Sequence, residues 1–570
     1  MIEKHVSAVD YVEGRLAPDE QKEADDHLAI CARCREQVAA VRAKRGQSIP
    51  STLRRFTGRM LVGGMTLLEP LVRRLPFAPQ PDKENADTAL APVRVLTPRA
   101  KTGLGQVTAL IGRFGLVLLI TFGVLLLPVP PTLSVQGHRA LAAFAFTAAI
   151  LALEPVSLPI AALMVPLAQV ALGVATTPQV FETFSRPVVF LILGSLFMAE
   201  ALRKHGLTRR LALLVIVRSG GGVKMMLLGL MTLAALFSMW IVNTATTAML
   251  IPVAMTISSQ VEDPDDARGL LVLLVLGLAY SASLGGMATI TGAAPNAVAS
   301  SFLAQIGRWT FLHWMKYGLP AFLVIFPLTW WILLKLVKVP VQRLDVEPAR
   351  QQVLAMGPMS RTEREILLLL AAAAILWIGG PSIEAVLGLP STLLSAAMVA
   401  VIAVSYLAIR EIINWEDLKG VSWGIFLIIG AGLSLGETLV RNGVTDWFAS
   451  LFSPVFSNSP MLVSLLLMVF VSALLTNLLN NTTITAVLVP ILITLALNNP
   501  SLNAVQLVLP ITMATTFGYS LPSASGRMAL IAATGIISRI EMMRYGLILT
   551  LVSSMVLTLF FYALALLNWI

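Results

Sequence analysis

"FSMWIVNTATTAMLIPVAM", residues 237–255, lies among long apolar runs yet carries Asn243, Thr244, Thr246 and Thr247. A second stretch, "LLTNLLNNTTITAVLVPILI" at 474–493, repeats the arrangement with Asn480, Asn481, Thr482, Thr483 and Thr485. A proline follows in each, and the pairs Asn243–Asn481 and Pro252–Pro490 are both 238 residues apart. Two flanking landmarks keep nearly the same offset: Gly194 to Gly430 is 236 residues and Gly206 to Gly443 is 237. These glycines sit in related phrases, "LILGSLFMAEALRKHGLT" at 191–208 and "LIIGAGLSLGETLVRNGVT" at 427–445. The chain holds an internal repeat, and each copy sets a polar interruption inside an apolar segment.

Composition says what surrounds these phrases. The 570 residues are 56% hydrophobic and only 13% charged, about half the charge of a soluble domain. Apolar stretches of about 17 residues or more, the length a bilayer-spanning helix needs, recur from near Leu110 to the C-terminus. Examples are "FGLVLLITFGVLLLPVP" (114–130), "GLPAFLVIFPLTWWILLKLV" (318–337) and "LILTLVSSMVLTLFFYALALL" (547–567). The fold class expected is an all-α polytopic membrane protein. The first apolar run follows a charged segment, which argues against a cleavable signal peptide.

In hydrocarbon each unpaired Asn or Thr costs several kcal/mol. Such residues bond an unwound backbone, bind a polar ligand in place of water, or glue helices together. Two clusters in register favour the first two roles over glue. Repeats with broken apolar segments mark secondary transporters, whose discontinuous helices leave backbone N–H and C=O groups to meet ions. Pro252 and Pro490 are expected to break their helices a short way beyond the clusters.

The net charge of +10 is unevenly placed: residues 1–36 hold 5 Lys+Arg against 9 Asp+Glu, and residues 37–109 hold 12 against 4. Basic segments next to a span stay on the cytoplasmic side, so the N-terminus is expected in the cytoplasm, as is the basic loop after Leu336. The organisation read from this is a helical module at 1–45, a basic juxtamembrane linker at 46–109, a first repeat at 110–340 and a second at 341–570. Residues 52–76 suit either a surface-lying amphipathic helix or a tether.

The only two cysteines, Cys31 and Cys34, follow His27 as His-x3-Cys-x2-Cys. On a helix this spacing puts all three on one face, and thiolate plus imidazole is a zinc ligand set. His5 is the one further His or Cys in the module. The alternatives are a redox Cys-x-x-Cys pair or idle thiols.

At the two polar phrases the membrane body, 110–570, resembles the divalent anion:sodium symporter family of dicarboxylate, citrate and sulfate carriers. That family carries a Ser-Asn-Thr signature in each half, at the tip of a re-entrant hairpin, followed by a Thr-Pro-Pro-Asn-like loop. Here the signatures read Val242-Asn243-Thr244 and Asn480-Asn481-Thr482, and the first loop reads Gly292-Ala293-Ala294-Pro295-Asn296. The resemblance implies an inverted repeat of about eleven transmembrane helices and two hairpins, usually dimeric, with an elevator-like transport domain. It further implies Asn243, Thr244, Asn480, Asn481, Thr482, Ser525 and Arg527 around the anion. Sodium would be held by Ser238, Asn243 and Gly292 in one site and by Thr476, Asn481 and Ala524 in another. Val242 and Asn480 stand where the family has serine, and the second loop ends Gly526-Arg527-Met528 instead of Pro-Pro-Asn.

Arg527 is the largest departure. An arginine within a span costs about 2.5–3.5 kcal/mol on insertion scales unless it finds a cavity or partner. It either binds the anion or replaces a sodium charge, or its loop opens to water. Glu200 and Glu437 hold equivalent places, as proton carriers or as partners of Lys204 and Arg441 one turn on. Residues 1–45 resemble the zinc-binding anti-sigma domain, which implies zinc on His5, His27, Cys31 and Cys34 and a possible sigma-factor partner.

The expected function is therefore secondary transport of a small divalent anion across a bacterial inner membrane, sodium-coupled or exchanging, by a homodimer. With Val242 lacking an oxygen and Arg527 charged, sodium dependence is expected to be less steep than in the family. No nucleophile–base pair, phosphate loop or catalytic metal motif stands out, so a carrier is expected rather than an enzyme, with no direct nucleic-acid binding. The alternative is a membrane sensor whose bound anion controls a sigma factor through residues 1–45.

Overall fold

A computed structural model describes residues 103–477, 479–499 and 502–569, with side chains from residue 110 except 455–458 and 523. The chain divides at residue 90, and residues 91–570 form one compact unit. All described residues belong to it. The zinc-module ligands and the 52–76 segment lie outside them.

Every long element among the described residues is helical. The chain opens with α1 (Gly103–Leu126), α2 (Val135–Leu153), α3 (Leu158–Ala171) and α4 (Thr177–Glu182). Then come α5 (Pro187–Lys204), α6 (Leu207–Arg218), α7 (Val223–Ser238), α8 (Asn243–Ser258), α9 (Pro264–Met287), α10 (Ala294–Ile306) and α11 (Phe311–Leu336). The basic loop carries α12 (Glu347–Ala355), and α13 (Arg361–Leu387), α14 (Ala396–Ile409) and α15 (Trp415–Leu418) follow. The chain closes with α16 (Gly424–Arg441), α17 (Val444–Asn458), α18 (Met461–Leu475), α19 (Asn481–Asn498), α20 (Ala504–Ala514), α21 (Gly526–Ala533) and α22 (Arg539–Leu566).

The sequence offset reappears in the helix order. Starts at 187, 207, 223 and 243 are answered by starts at 424, 444, 461 and 481, each 237 or 238 residues later. Gly206 and Gly443, which precede α6 and α17, both have positive φ, 68° and 70°. Only glycine adopts that left-handed turn freely, which is why both copies keep it.

Seven of the described helices are long and apolar enough to cross a membrane, and an eighth span results if the α4–α5 pair, bent by 45°, counts as one. Six further apolar helices of 10–17 residues, α7, α14 and α18 among them, fall short. At 1.5 Å per residue such pieces cover less than the roughly 30 Å hydrocarbon core. The eleven spans of the sequence reading are thus seven or eight by length and composition. Large apolar side chains such as Leu119, Leu323, Leu368 and Ile375 are exposed, as a lipid-facing surface requires.

At the centre runs α9, buried along nearly all its apolar length. Gly277 lies against Leu227 and Met231 of α7, and Gly285 against the Ala235 backbone. Small residues let two helices approach closely where burial alone drives little association in lipid. A buried ion pair fixes the basic loop: Arg210 on α6 meets Glu363 at 2.8 Å and donates to Gly357 O at 2.7 Å.

Pro252 and Pro490 do not end their helices; both lie inside, in α8 and α19. Each removes one ladder bond, and neighbouring helices stabilise the helix across it. Among the described residues the unwinding lies instead before each Asn, at 239–242 and at 476–477 and 479–480, and in longer breaks at 288–293 and 515–525.

Candidate functional site

The two tips are built alike. Ser238 Oγ lies 2.6 Å from the Asn243 side-chain amide, and Thr476 Oγ1 makes the equivalent contact to Asn481. Thr247 Oγ1 donates to Asn243 O at 2.9 Å and Thr485 Oγ1 to Asn481 O at 3.1 Å. Each asparagine is therefore held at its side chain from five residues earlier and at its backbone from four residues later. This is the local meaning of the repeated Ser/Thr…Asn-x-x-x-Thr spacing.

The helix starts differ. Asn480 Oδ1 accepts from Thr482 N at 2.9 Å, capping α19, whereas Val242 gives α8 no side-chain cap. First-turn N–H groups lack helical partners, so those of α8 are left for loop, water or ligand. Asn480, read as an anion contact, is thus engaged in its own cap. Thr482 is buried beside Gly432 of α16.

Each tip is tied to the break that follows in its own copy. Thr291 Oγ1 donates to Met239 O at 2.9 Å, and Thr289 Oγ1 to the same carbonyl. In the second copy Ser520 N donates to Asn477 Oδ1 at 3.0 Å, and Thr476 Oγ1 lies 2.7 Å from Thr515 O.

Ser238, Asn243 and Gly292 do come together. Asn243 Nδ2 donates to Gly292 O at 2.7 Å, Ala282 O at 3.2 Å and Ser238 Oγ at 2.6 Å. The two carbonyls and the hydroxyl that converge on this amide are hard oxygen donors, the kind a small cation takes. Gly286 makes room for this arrangement, because a Cβ there would strike the Asn243 amide. Asn243 is only 7% exposed. In the second copy Gly518 packs between Thr476 and Ala524: a Cβ there would sit 3.1 Å from Ala524 Cβ and 3.4 Å from Thr476 Oγ1.

Arg527 is 2% exposed. The reading that leaves it in open water is therefore wrong for this fold: its loop folds back, and the guanidinium reaches the carbonyls of residues 516 and 518. Ser525, also read as an anion contact, has a buried Oγ without a hydrogen-bond partner.

The copies complete each other. A Cβ at Gly526, the first residue of α21, would lie 3.0 Å from Thr244 Oγ1 on α8. Helix α10 packs along α19. The first tip thus meets the second copy's loop helix, and the helix that begins at the second tip packs on the first copy's.

Glu200 and Glu437 are both ion-paired, with partners other than those read from spacing. Glu200 pairs with Arg203, three residues on, while Lys204 reaches Asp417 at 2.7 Å. Glu437 pairs with Arg186 at 2.7 Å, 251 positions away, instead of Arg441. Sequence reading also missed the backbone acceptors, Ala282 O and Thr515 O, and the support from Gly286 and Ser283; Asn296 was named only as the end of the first loop motif. The Gly285-Gly286 pair in an apolar run was the one visible signal.

Comparison with known proteins gives the family of the chain. The family model "sodium:sulfate symporter transmembrane region" matches residues 108–569, and a zinc-finger family model matches residues 9–35. The chain is 32% identical over 448 residues to an uncharacterized transporter of Haemophilus influenzae, covering 77% of this chain and 94% of that one. It is 28% identical over 431 residues to the sodium-dependent dicarboxylate transporter SdcS of Staphylococcus saprophyticus, covering 71% and 82%. Among solved structures, the YdaH transporter of Alcanivorax borkumensis aligns with a TM-score of 0.47 and 12% identity over 82% of this chain and 98% of that one. The chain is a multi-pass membrane protein that belongs to the sodium:sulfate symporter family of divalent anion transporters, with a zinc-finger segment at its N-terminus.

Proposed function

We propose that this chain is a secondary active carrier of a small divalent anion, a dicarboxylate, citrate or sulfate, coupled to sodium or exchanging one anion for another. The observation that carries the reading is the pair of equivalent tips, Ser238–Asn243 and Thr476–Asn481, each seated against the other copy's loop helix. Neutral amides and hydroxyls bind a dianion by hydrogen bonds without a fixed opposite charge that would trap it. Asn243, Thr244, Asn481 and Thr482 are its contacts in this reading, and the Ser238–Asn243–Gly292 cluster takes the cation. The likeness to a sodium-dependent dicarboxylate transporter supports both parts. The same reading has the copies inverted in the bilayer, α7–α8 and α18–α19 as re-entrant hairpins, a homodimer, an elevator-like motion and a cytoplasmic N-terminus in a bacterial inner membrane.

The test is uptake into proteoliposomes of radiolabelled succinate, citrate and sulfate, with and without an inward sodium gradient. Accumulation of one of them over many turnovers supports the carrier. Saturable binding without flux would favour the rival, a sensor acting on a sigma factor through residues 1–45.

A second expected result concerns Gly286→Ala. The new Cβ would strike the Asn243 amide, which Ser238 and the Gly292 carbonyl already confine. Overpacking costs typically 1–3 kcal/mol, so anion affinity is expected to fall about tenfold or more in protein of unchanged elution profile. Wild-type affinity would mean that Asn243 is free to move aside.

A further inference from the structure

Helices α10 and α21 hold equivalent places, and each sends a side chain back onto the break that precedes it. From α10, Asn296 Nδ2 donates to Gly286 O at 2.8 Å and Thr289 O at 2.7 Å. From α21, Arg527 Nη2 donates to Thr516 O at 2.8 Å and, at a longer 3.3 Å, to Gly518 O. Both side chains hold a break by its carbonyls, but only the second carries charge, and Gly518, whose carbonyl Arg527 reaches, packs between Thr476 and Ala524, the residues read as the second cation site.

Two further features separate the breaks. In the second copy three successive carbonyls already have side-chain donors: Thr516 O from Arg527 and Ser283, Phe517 O from Thr550 at 2.8 Å, and Gly518 O from Arg527. The first copy keeps the Ala282 and Gly292 carbonyls facing the amide of Asn243. Second, among the described residues Arg527 has no carboxylate partner, and its Nε has no hydrogen-bond partner at all. Its charge rests on backbone oxygens and on the face of Tyr519, 6.0 Å from the ring centroid. Tyr519 in turn packs on Tyr280 at 4.6 Å. Carbonyl dipoles around a lone positive charge are the surroundings of a bound alkali cation.

We propose that Arg527 is a tethered cation that permanently fills the ion position of the second copy, so that the protein binds a single mobile sodium ion, at Ser238–Asn243–Gly292. A second mobile cation beside the same carbonyls would meet the guanidinium in a dry interior, where like charges repel strongly. A lysine would keep the charge at this position, and a glutamine would remove it.

The inference rests on the carrier reading for its purpose, but its test does not, because sodium is counted by equilibrium binding without any flux. Radioactive sodium is titrated onto the purified full-length protein and onto Arg527→Lys, Arg527→Gln and Ser238→Ala. Wild type and Arg527→Lys are expected to bind one sodium ion per chain, with a hyperbolic isotherm. Arg527→Gln is expected to bind two, with the second ion steepening the curve. Ser238→Ala is expected to weaken all of the sodium binding about tenfold, as for one lost ligand near 1.4 kcal/mol. Two ions or none in the wild type, or one in Arg527→Gln, overturns the proposal. Should Arg527→Gln fail to fold, Ser238→Ala decides: an ion still bound at wild-type affinity places the mobile cation elsewhere and overturns it.

Discussion

Asn243→Ala and Asn481→Ala are each expected to weaken anion binding by about a hundredfold, since a hydrogen bond to a charged group contributes roughly 1.5–3 kcal/mol. The loss has two parts. The ligand loses an amide donor, and Ser238 Oγ or Thr476 Oγ1 loses the partner that orders the tip. Both variants should still elute as folded protein, because each asparagine is the first residue of its helix and the apolar core faces of α8 and α19 are untouched. The equivalence of the two environments makes the sizes of the two effects informative. Comparable losses, measured by equilibrium binding of labelled succinate, citrate or sulfate, place the anion between both tips. Wild-type affinity in both variants would put the anion site elsewhere in the fold.

The second large effect belongs to the N-terminal segment. The zinc-finger match at 9–35 spans His27, Cys31 and Cys34 but leaves out His5. One zinc per chain is expected by elemental analysis of the full-length protein, and none in the Cys31→Ser, Cys34→Ser double variant. Structural zinc supplies about 10–16 kcal/mol of apparent binding free energy in small modules. Residues 1–45 made as a separate peptide should therefore lose helical circular dichroism when a chelator is added, and regain it with zinc. A spectrum indifferent to chelator, together with no zinc in the intact protein, would leave Cys31 and Cys34 as a thiol pair. His5→Ala tests the fourth ligand, and unchanged zinc content there would remove His5 from the set.

The sequence carried the parts of this protein that are written in side-chain chemistry and spacing. The offset of 238 between Asn243 and Asn481 became two helices that begin at those residues. The five-residue spacing of Ser238 and Asn243 became a hydrogen bond. What escaped reading was of two kinds. Backbone carbonyls such as Ala282 O and Gly292 O have no letter of their own, and only the fold decides which of them converge. Long-range partners are equally silent: Arg441 is the obvious neighbour of Glu437, yet Arg186 arrives from another helix. The prolines misled for a related reason. A missing N–H breaks an isolated helix, but inside a packed bundle α8 and α19 run on through it. Arg527 could be flagged as costly by its letter, but only the folded loop shows what it touches.

The way α8 rests on α21, and α19 on α10, has a consequence for how such a protein is inherited. A duplicated gene normally frees one copy to drift while the other keeps the old task. On the carrier reading neither copy owns a whole site, since the helix from each tip packs on the other copy's loop helix. Thr244 and Gly526, 282 positions apart in the chain, share one patch of van der Waals contact. A change at either is judged by selection at the other. The halves can diverge in letter, as Pro295 and Arg527 have, but only as a pair, and on the carrier reading a chain cut between them would retain two half-sites in place of one working one.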